Sequence, residues 1–442
     1  MKRKSFMAAI CMTGMVASLL AGCGGTSTPE DKEGTAATTQ AEEKKEGSEP
    51  VTITMWYGIG GDESDMMLSI IDEYNKSQDE IFVDALSVTD SSKMIVAMSS
   101  GEGPDVIRSS NPTALAYLKQ GLIEDLNAYV EKDGFDTSVY YQKSLEANTA
   151  DGHLAALPST AYTIQMYYNK DILEQLGYTE PPTTMEEMYQ MAVEATILDD
   201  SGNIDVLGYP LFPLASARQE LVYGFGGRWW DEAGNPTPLR QENLDSLTYN
   251  VKYREQFGID KVASFITTAN TNRYTEKDMF FAGKQLFRFD GPWLTTMMES
   301  YDSDVNYGIT MIPGATEADR GCARFESNCY VLSGTSKNKE AAWKFMKDYT
   351  TSEFVKKEVI GLANLPAYMP LFEDEEVLAV PAFKEFIDTL KAENAVQFPA
   401  ISNLSEYVAI IDEYLDYIYN GSMTPEEGLK ELEQRANSIT LE

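Results

Sequence analysis

The stretch Val51-Thr52-Ile53-Thr54-Met55-Trp56 alternates polar and apolar side chains, the period-two pattern of a half-buried strand. It opens an alternation of strands and helices, and that alternation decides the fold. Met66 to Tyr74 places Met67, Ile70, Ile71 and Tyr74 on one helical face. Ile81 to Val88 reads as a second strand, Lys93 to Ser100 as a helix ended by Gly101, and Pro104 to Ile107 as a short strand. The alternation resumes with a strand at Thr163 to Tyr168 and a helix at Asp171 to Leu176 stopped by Gly177. Thr183 and Thr184 precede Glu186 and Glu187, a capping-box start for a helix over Met185 to Ala195. Strands at Leu286 to Phe289, Val305 to Ile312 and Cys329 to Leu332 come next, with helices beginning near Gly291 and covering Lys339 to Tyr349. From about Pro366 the pattern is helical: Pro381 to Lys391, Leu404 to Tyr419, and Pro425 to Ser438 behind Thr424. Strand–helix alternation predicts an α/β fold of open, mainly parallel sheets flanked by helices, with ligands bound beyond the strand carboxyl ends.

The first fifty residues are not part of that pattern. Lys2, Arg3 and Lys4 precede an apolar run from Phe6 to Leu20, too short to span a bilayer and built like an export signal. Leu20-Ala21-Gly22-Cys23 resembles the lipobox of bacterial lipoproteins. That resemblance implies a signal peptide over 1–22, lipidation at Cys23 and attachment to the outer face of the cell membrane. Residues 24–50 hold no aromatic, Val, Ile, Leu or Met, so they read as a flexible linker spanning roughly 30 Å.

Residues 51–442 are long for one core, so two lobes are expected. The formal charge of −35 becomes −38 when the three cations of residues 1–22 are removed, which argues against nucleic acid and anionic lipid surfaces as partners. Cys322 and Cys329 form either a disulfide or two free thiols. With His153 the single histidine, no metal site and no histidine-based catalysis are expected. Asp199, Ser201, Asn203 and Asp205 are spaced like part of a calcium loop, but the liganding glutamate is absent and a polar hairpin turn fits better.

Several segments resemble the sugar-binding lipoproteins of ABC importers, the extracellular solute-binding family 1. They are Ile53 to Tyr57 with the Gly58 to Glu63 loop, Gly103-Pro104-Asp105-Val106, and Leu157-Pro158 before Tyr167-Tyr168-Asn169-Lys170-Asp171. Pro181-Pro182-Thr183-Thr184 is similar too, although Met185 stands where that family usually has Trp. So are Phe281-Ala282-Gly283-Lys284, Asp290-Gly291-Pro292-Trp293, Val305 to Ile309 with Pro313, and Ser336 to Ala342. The resemblance implies a two-lobed, periplasmic-binding-protein-like type II fold. An N-terminal lobe of 51–160 plus 320–365 and a C-terminal lobe of 161–319 plus 366–442 would close on a ligand by hinge motion. The chain would cross between lobes near 158–164 and 315–322 and return near 362–368. The implied role is a monomeric receptor that captures a neutral carbohydrate and delivers it to membrane permease subunits, with no cofactor.

Sugars are held by aromatic faces on their C–H surfaces and by carboxylates, amides and arginines at their hydroxyls. The resemblance implies Trp293 as a stacking residue, with a core tryptophan as the alternative, and Tyr162 as a second contact. Asp290 either accepts hydroxyl protons or caps the following helix. Tyr57, Asp62 and Glu63 follow the first strand, and Ser109 and Asn111 follow the Pro-Asp-Val strand. Of the adjacent Trp229 and Trp230, one belongs to the core and Trp230 faces either ligand or core. Arg324 and Asn328 lie near the second crossover, and Tyr407 on a late helix completes the candidates.

Two rival readings remain. One keeps the fold and binds a polyamine or glycerol phosphate, the phosphate wanting converging Lys and Arg in which the loops are poor. The other is a secreted glycosidase using two carboxylates, to which the 70 acidic residues do not speak either way. No Gly-x-Ser-x-Gly, His-Glu-x-x-His or phosphate-binding loop motif occurs.

Overall fold

The computed structural model describes residues 49–211, 217–390, 395–399 and 404–439. The signal segment, Cys23 and most of the linker lie outside the described residues. No helix among the described residues is long and apolar enough to cross a membrane.

The first strand, Val51–Tyr57, buries Ile53, Met55 and Tyr57 on one face. It pairs in parallel with Ile81–Ser87 on one side and Val106–Ser110 on the other. Helix Gly61–Ser77 turns the predicted Met67, Ile70, Ile71 and Tyr74 into the core. Helix Ser91–Ser100 ends at Gly101, whose φ of +78° is the left-handed value that stops a helix without strain.

Beyond Val106–Ser110 the large sheet becomes antiparallel. The ten-residue strand Ala323–Leu332 pairs with Val106–Ser110 and with Leu157–Thr163, and Leu365–Pro366 closes the edge. A second sheet sets Gln165–Asn169 between Phe287–Asp290 and Tyr307–Thr310, antiparallel on both sides. Strand direction is therefore more mixed than alternation alone suggests. Long connections return Ala323–Leu332 and Phe287–Asp290 from the opposite direction, which no local pattern reports.

The two sheets seat two main hydrophobic clusters. One gathers Ile53, Met55, Ile70, Val83, Tyr330 and Phe345 around the large sheet. The other gathers Met166, Met188, Trp229, Leu247, Phe287 and Leu432 around the small one. The chain leaves the first near Ala161 and enters the second at Ile164 and Met166. Ala323 packs with the second and Phe325 with the first, while Tyr167, Phe280, Phe281, Leu294 and Met298 from around the small sheet also join the first. The sequence sets the last crossing at 362–368. Leu371, Phe372, Phe383 and Leu390 pack with the first cluster, and Val396 with the second.

The predicted capping box at Thr184–Glu187 is closed and starts helix Met185–Ala195, and the start expected behind Thr424 is a second closed box, with Glu427, on helix Pro425–Ala436. Asp199 accepts the N–H groups of Ser201 and Asn203, closing the hairpin between Ile197–Leu198 and Ile204–Val206. Cys322 and Cys329 are both buried free thiols.

Candidate ligand-binding cleft

The strands Leu157–Thr163 and Ala323–Leu332 run side by side from one core to the other, and a cavity of about 230 Å³ opens against them. Its lining is Ile59, Glu63, Arg108, Tyr162, Trp293, Asn328, Leu362 and Asn364. The side chains come from both halves of the chain. Four of them, Glu63, Tyr162, Trp293 and Asn328, are sequence candidates.

Trp293 leaves the end of strand Phe287–Asp290 through the turn Gly291-Pro292 and heads the helix Leu294–Ser300. A methyl group on Gly291 would clash with Cη2, Cζ3 and Cζ2 of Trp293, so the indole packs against glycine backbone that no side chain could cover. The Tyr162 ring meets it edge-on, with centroids 5.4 Å apart at 77°. Tyr162 donates its hydroxyl proton to Glu326 at 2.5 Å, and Glu326 pairs with Arg324 at 3.0 Å. Burial, then the Glu326 carboxylate, pushes the Tyr162 phenol far up, so it stays a donor. Arg324 lies 5.8 Å from the Tyr162 ring centroid and 5.4 Å from that of Phe398. It thus supports the aromatic wall from behind.

The opposite wall is polar. Arg108 donates through Nε to Glu358 at 2.7 Å, and Glu358 also accepts from Tyr330 at 2.9 Å and Ser159 at 3.3 Å. Burial alone would lower the Arg108 pKa, but the Glu358 charge outweighs it and the guanidinium stays charged. Burial raises the Glu63 pKa, opposed by Arg108. Asn328 donates to Thr160 at 2.9 Å. Arg108 is already neutralised from beneath, so Glu63 leaves this wall one acid in excess, a set that offers acceptors to hydroxyls and does not suit an anion.

The other candidates lie elsewhere. Tyr57 is fully buried, its hydroxyl 2.9 Å from that of Ser64. Asn111 is buried and accepts the Ser327 N–H at 2.9 Å. Ser109 gives its carbonyl to the Cys329 thiol. Trp230 is buried against Phe398, with centroids 5.2 Å apart. Tyr407 is fully buried and donates to the Trp229 carbonyl at 2.5 Å. Asp290 is fully buried beneath Trp293, and Asp62 sits in the first turn of helix Gly61–Ser77. Sequence reasoning missed Arg108, Asn364, Ile59 and Leu362. Arg108 carried one signal, a charged residue inside a strand that pairs on both sides.

A larger hollow of about 580 Å³ lies by the small sheet, walled by Asp171, Glu194, Glu276, Asp302 and Asp304. It draws on one half of the chain and is crowded with like charge. The cleft at Trp293 draws on both halves and sets an aromatic wall beside polar groups.

A two-core α/β chain with a mixed aromatic and polar cleft along its connecting strands defines a solute-binding protein. The model of the bacterial extracellular solute-binding protein family matches residues 62–355, and the chain belongs to that family. It is 24% identical over 345 residues to the maltotriose-binding protein of Pyrococcus abyssi, covering 76% of this chain and 70% of that one. It is 23% identical over 343 residues to the galactooligosaccharide-binding protein of Bacillus subtilis, covering 76% and 77%. Among solved structures, CpMnBP1 with mannotriose bound superposes with a TM-score of 0.78 at 23% identity, over 87% of this chain and 100% of that one.

Proposed function

We propose that this protein is the extracellular receptor of an ABC importer, taking a neutral oligosaccharide between its two lobes and passing it to membrane permease subunits. The observation that carries the reading is the pairing of Trp293 and Tyr162 with Glu63, Arg108, Asn328 and Asn364 around one cavity. An aromatic face takes the C–H side of a pyranose, and charged and amide groups take its hydroxyls. Relatives named for maltotriose and galactooligosaccharide, and a structure holding mannotriose, support the same class of ligand. The buried Arg108–Glu358 pair speaks against a phosphate ligand, because this arginine is already neutralised. The protein acts without catalysis, held at the outer membrane face by lipid on Cys23, with the linker giving it reach to the permease.

The test is a thermal-shift screen against mono- and oligosaccharides, with spermidine and glycerol 3-phosphate as charged controls. A ligand at 100 times its dissociation constant adds about 2.7 kcal/mol of stability. Trp293→Ala is expected to weaken the responding sugar about a hundredfold, measured by calorimetry. A shift with the charged controls alone would discard the sugar. Cleavage of the responding oligosaccharide on incubation would discard the receptor.

A further inference from the structure

Trp293 is not held by packing alone. Its indole Nε1–H donates to the Tyr274 hydroxyl at 3.0 Å. Tyr274 donates its own proton to Asp290, 2.8 Å from Oδ1 and 3.1 Å from Oδ2. Asp290, fully buried, also accepts Arg288 Nε at 2.7 Å and the Gly291 N–H at 2.9 Å. Arg288 Nη1 is gripped by both oxygens of Asp278, at 2.7 and 2.8 Å, and Asp278 accepts the backbone N–H of Tyr274 at 3.0 Å. The loop carrying Tyr274 and the strand leading to Trp293 are therefore tied to one charge cluster.

The direction of these bonds is forced. A carboxylate only accepts and an indole N–H only donates, so a hydroxyl between them has one arrangement open to it. Its proton goes to Asp290 and its lone pair faces Trp293. Burial and the Asp290 charge push the Tyr274 phenol up, so that proton is retained. Tyr274 takes up this place with φ at +53°, a left-handed conformation unfavourable for a bulky residue. Gly291 and the Tyr162 ring also pack closely against the indole.

We propose that Tyr274, oriented by Asp290 and Arg288, is a positioning residue that fixes the plane of Trp293 before ligand arrives, and so sets the affinity of the cleft without lining it. The proposal rests on the receptor reading for its effect on affinity, but the clamp itself exists with or without a ligand. An indole already locked has no side-chain freedom left to lose on binding.

The experiment labels the five tryptophans with 15N and follows their indole resonances. The peak absent in Trp293→Phe identifies that residue. In Tyr274→Phe this peak is expected to move upfield and exchange faster with solvent, the other four staying in place. Affinity is then measured for maltotriose and mannotriose, using whichever binds the wild type more tightly. Tyr274→Phe is expected to weaken it about tenfold, and to change it less than twofold in a Trp293→Phe background. An unmoved Trp293 peak overturns the clamp, and so does an equal loss in both backgrounds. Should Tyr274→Phe not fold, rapid indole exchange at Trp293 in the wild type overturns it equally. If neither sugar binds the wild type, the receptor reading loses support while the resonance still decides the clamp.

Discussion

Two buried arginines stand behind the two walls of the cleft, and they are used in opposite ways. Arg108 is held by one carboxylate, Glu358, and itself reaches the cavity. Arg288 is held by two carboxylates, Asp278 and Asp290, and stays inside the protein. On the first wall a paired guanidinium lines the cavity. On the second it is spent on holding an aromatic plane. The comparison teaches that a conspicuous acid or base near a site is not thereby a ligand contact: Asp290 serves the cleft through Tyr274 and Trp293.

The contrast breaks most visibly at Arg288. Arg288→Met removes the common partner of two buried carboxylates, and stranding such charge costs about 3–5 kcal/mol. Chemical denaturation should show a loss of that size. Arg108→Met strands one carboxylate that keeps hydroxyl donors from Tyr330 and Ser159, so its loss should be on the order of 2–3 kcal/mol, with ligand affinity falling as well. Equal losses in stability would erase the distinction.

A third buried acid sharpens it. Glu220 is fully buried on the short helix Ala217–Gly224, and one of its oxygens accepts the Arg324 N–H at 3.0 Å while the other has no partner among the described residues. It faces Arg324, Glu326 and Tyr223, so here two acids share one base. Burial, partly offset by Arg324, raises its pKa from 4.5 to about 7. Between those values the folded protein holds a proton that the unfolded chain has lost. Stability should therefore fall as pH rises from about 4.5 to 7, by ~3 kcal/mol, and be flat with respect to this group outside that window. Glu220→Gln should flatten the slope and be the more stable form above pH 7. A wild type whose stability is level across that range would show that Glu220 stays ionised.

How much of this was legible in the sequence depends on what each signal needs. The first strand and helix announced themselves because their buried faces are apolar. The helix Gln241–Phe257 did not, since Asn243, Ser246, Asn250 and Arg254 are buried on it beside Leu247 and Tyr253, which blurs the apolar period. Tyr57 was a candidate as an aromatic after a strand, yet the period-two rule places it with Ile53 and Met55 on the core face. Glu63, Tyr162, Trp293 and Asn328 were legible from loops, strand ends and the family resemblance. Arg108 was not, because its partner Glu358 lies 250 residues away. No local pattern holds such a pairing.

The smallest effect bears most directly on the first wall. Glu63 lies partly buried at the cavity, its pKa raised by burial and restrained by Arg108. A carboxylate accepts sugar hydroxyls more strongly when ionised than when protonated. Affinity should therefore be highest above its raised pKa and fall as pH drops through it. Glu63→Gln keeps the shape and an accepting oxygen but removes the charge, so at pH 7 it should weaken binding by about 3- to 10-fold. The variant should also lose most of the acid-side decline. Calorimetry at a series of pH values separates the outcomes. If the variant weakens and its pH dependence flattens, Glu63 works by charge at the ligand, as the first wall requires. If affinity is unchanged, the first wall rests on Arg108 and the two amides, and the Glu63 charge is not used by the ligand.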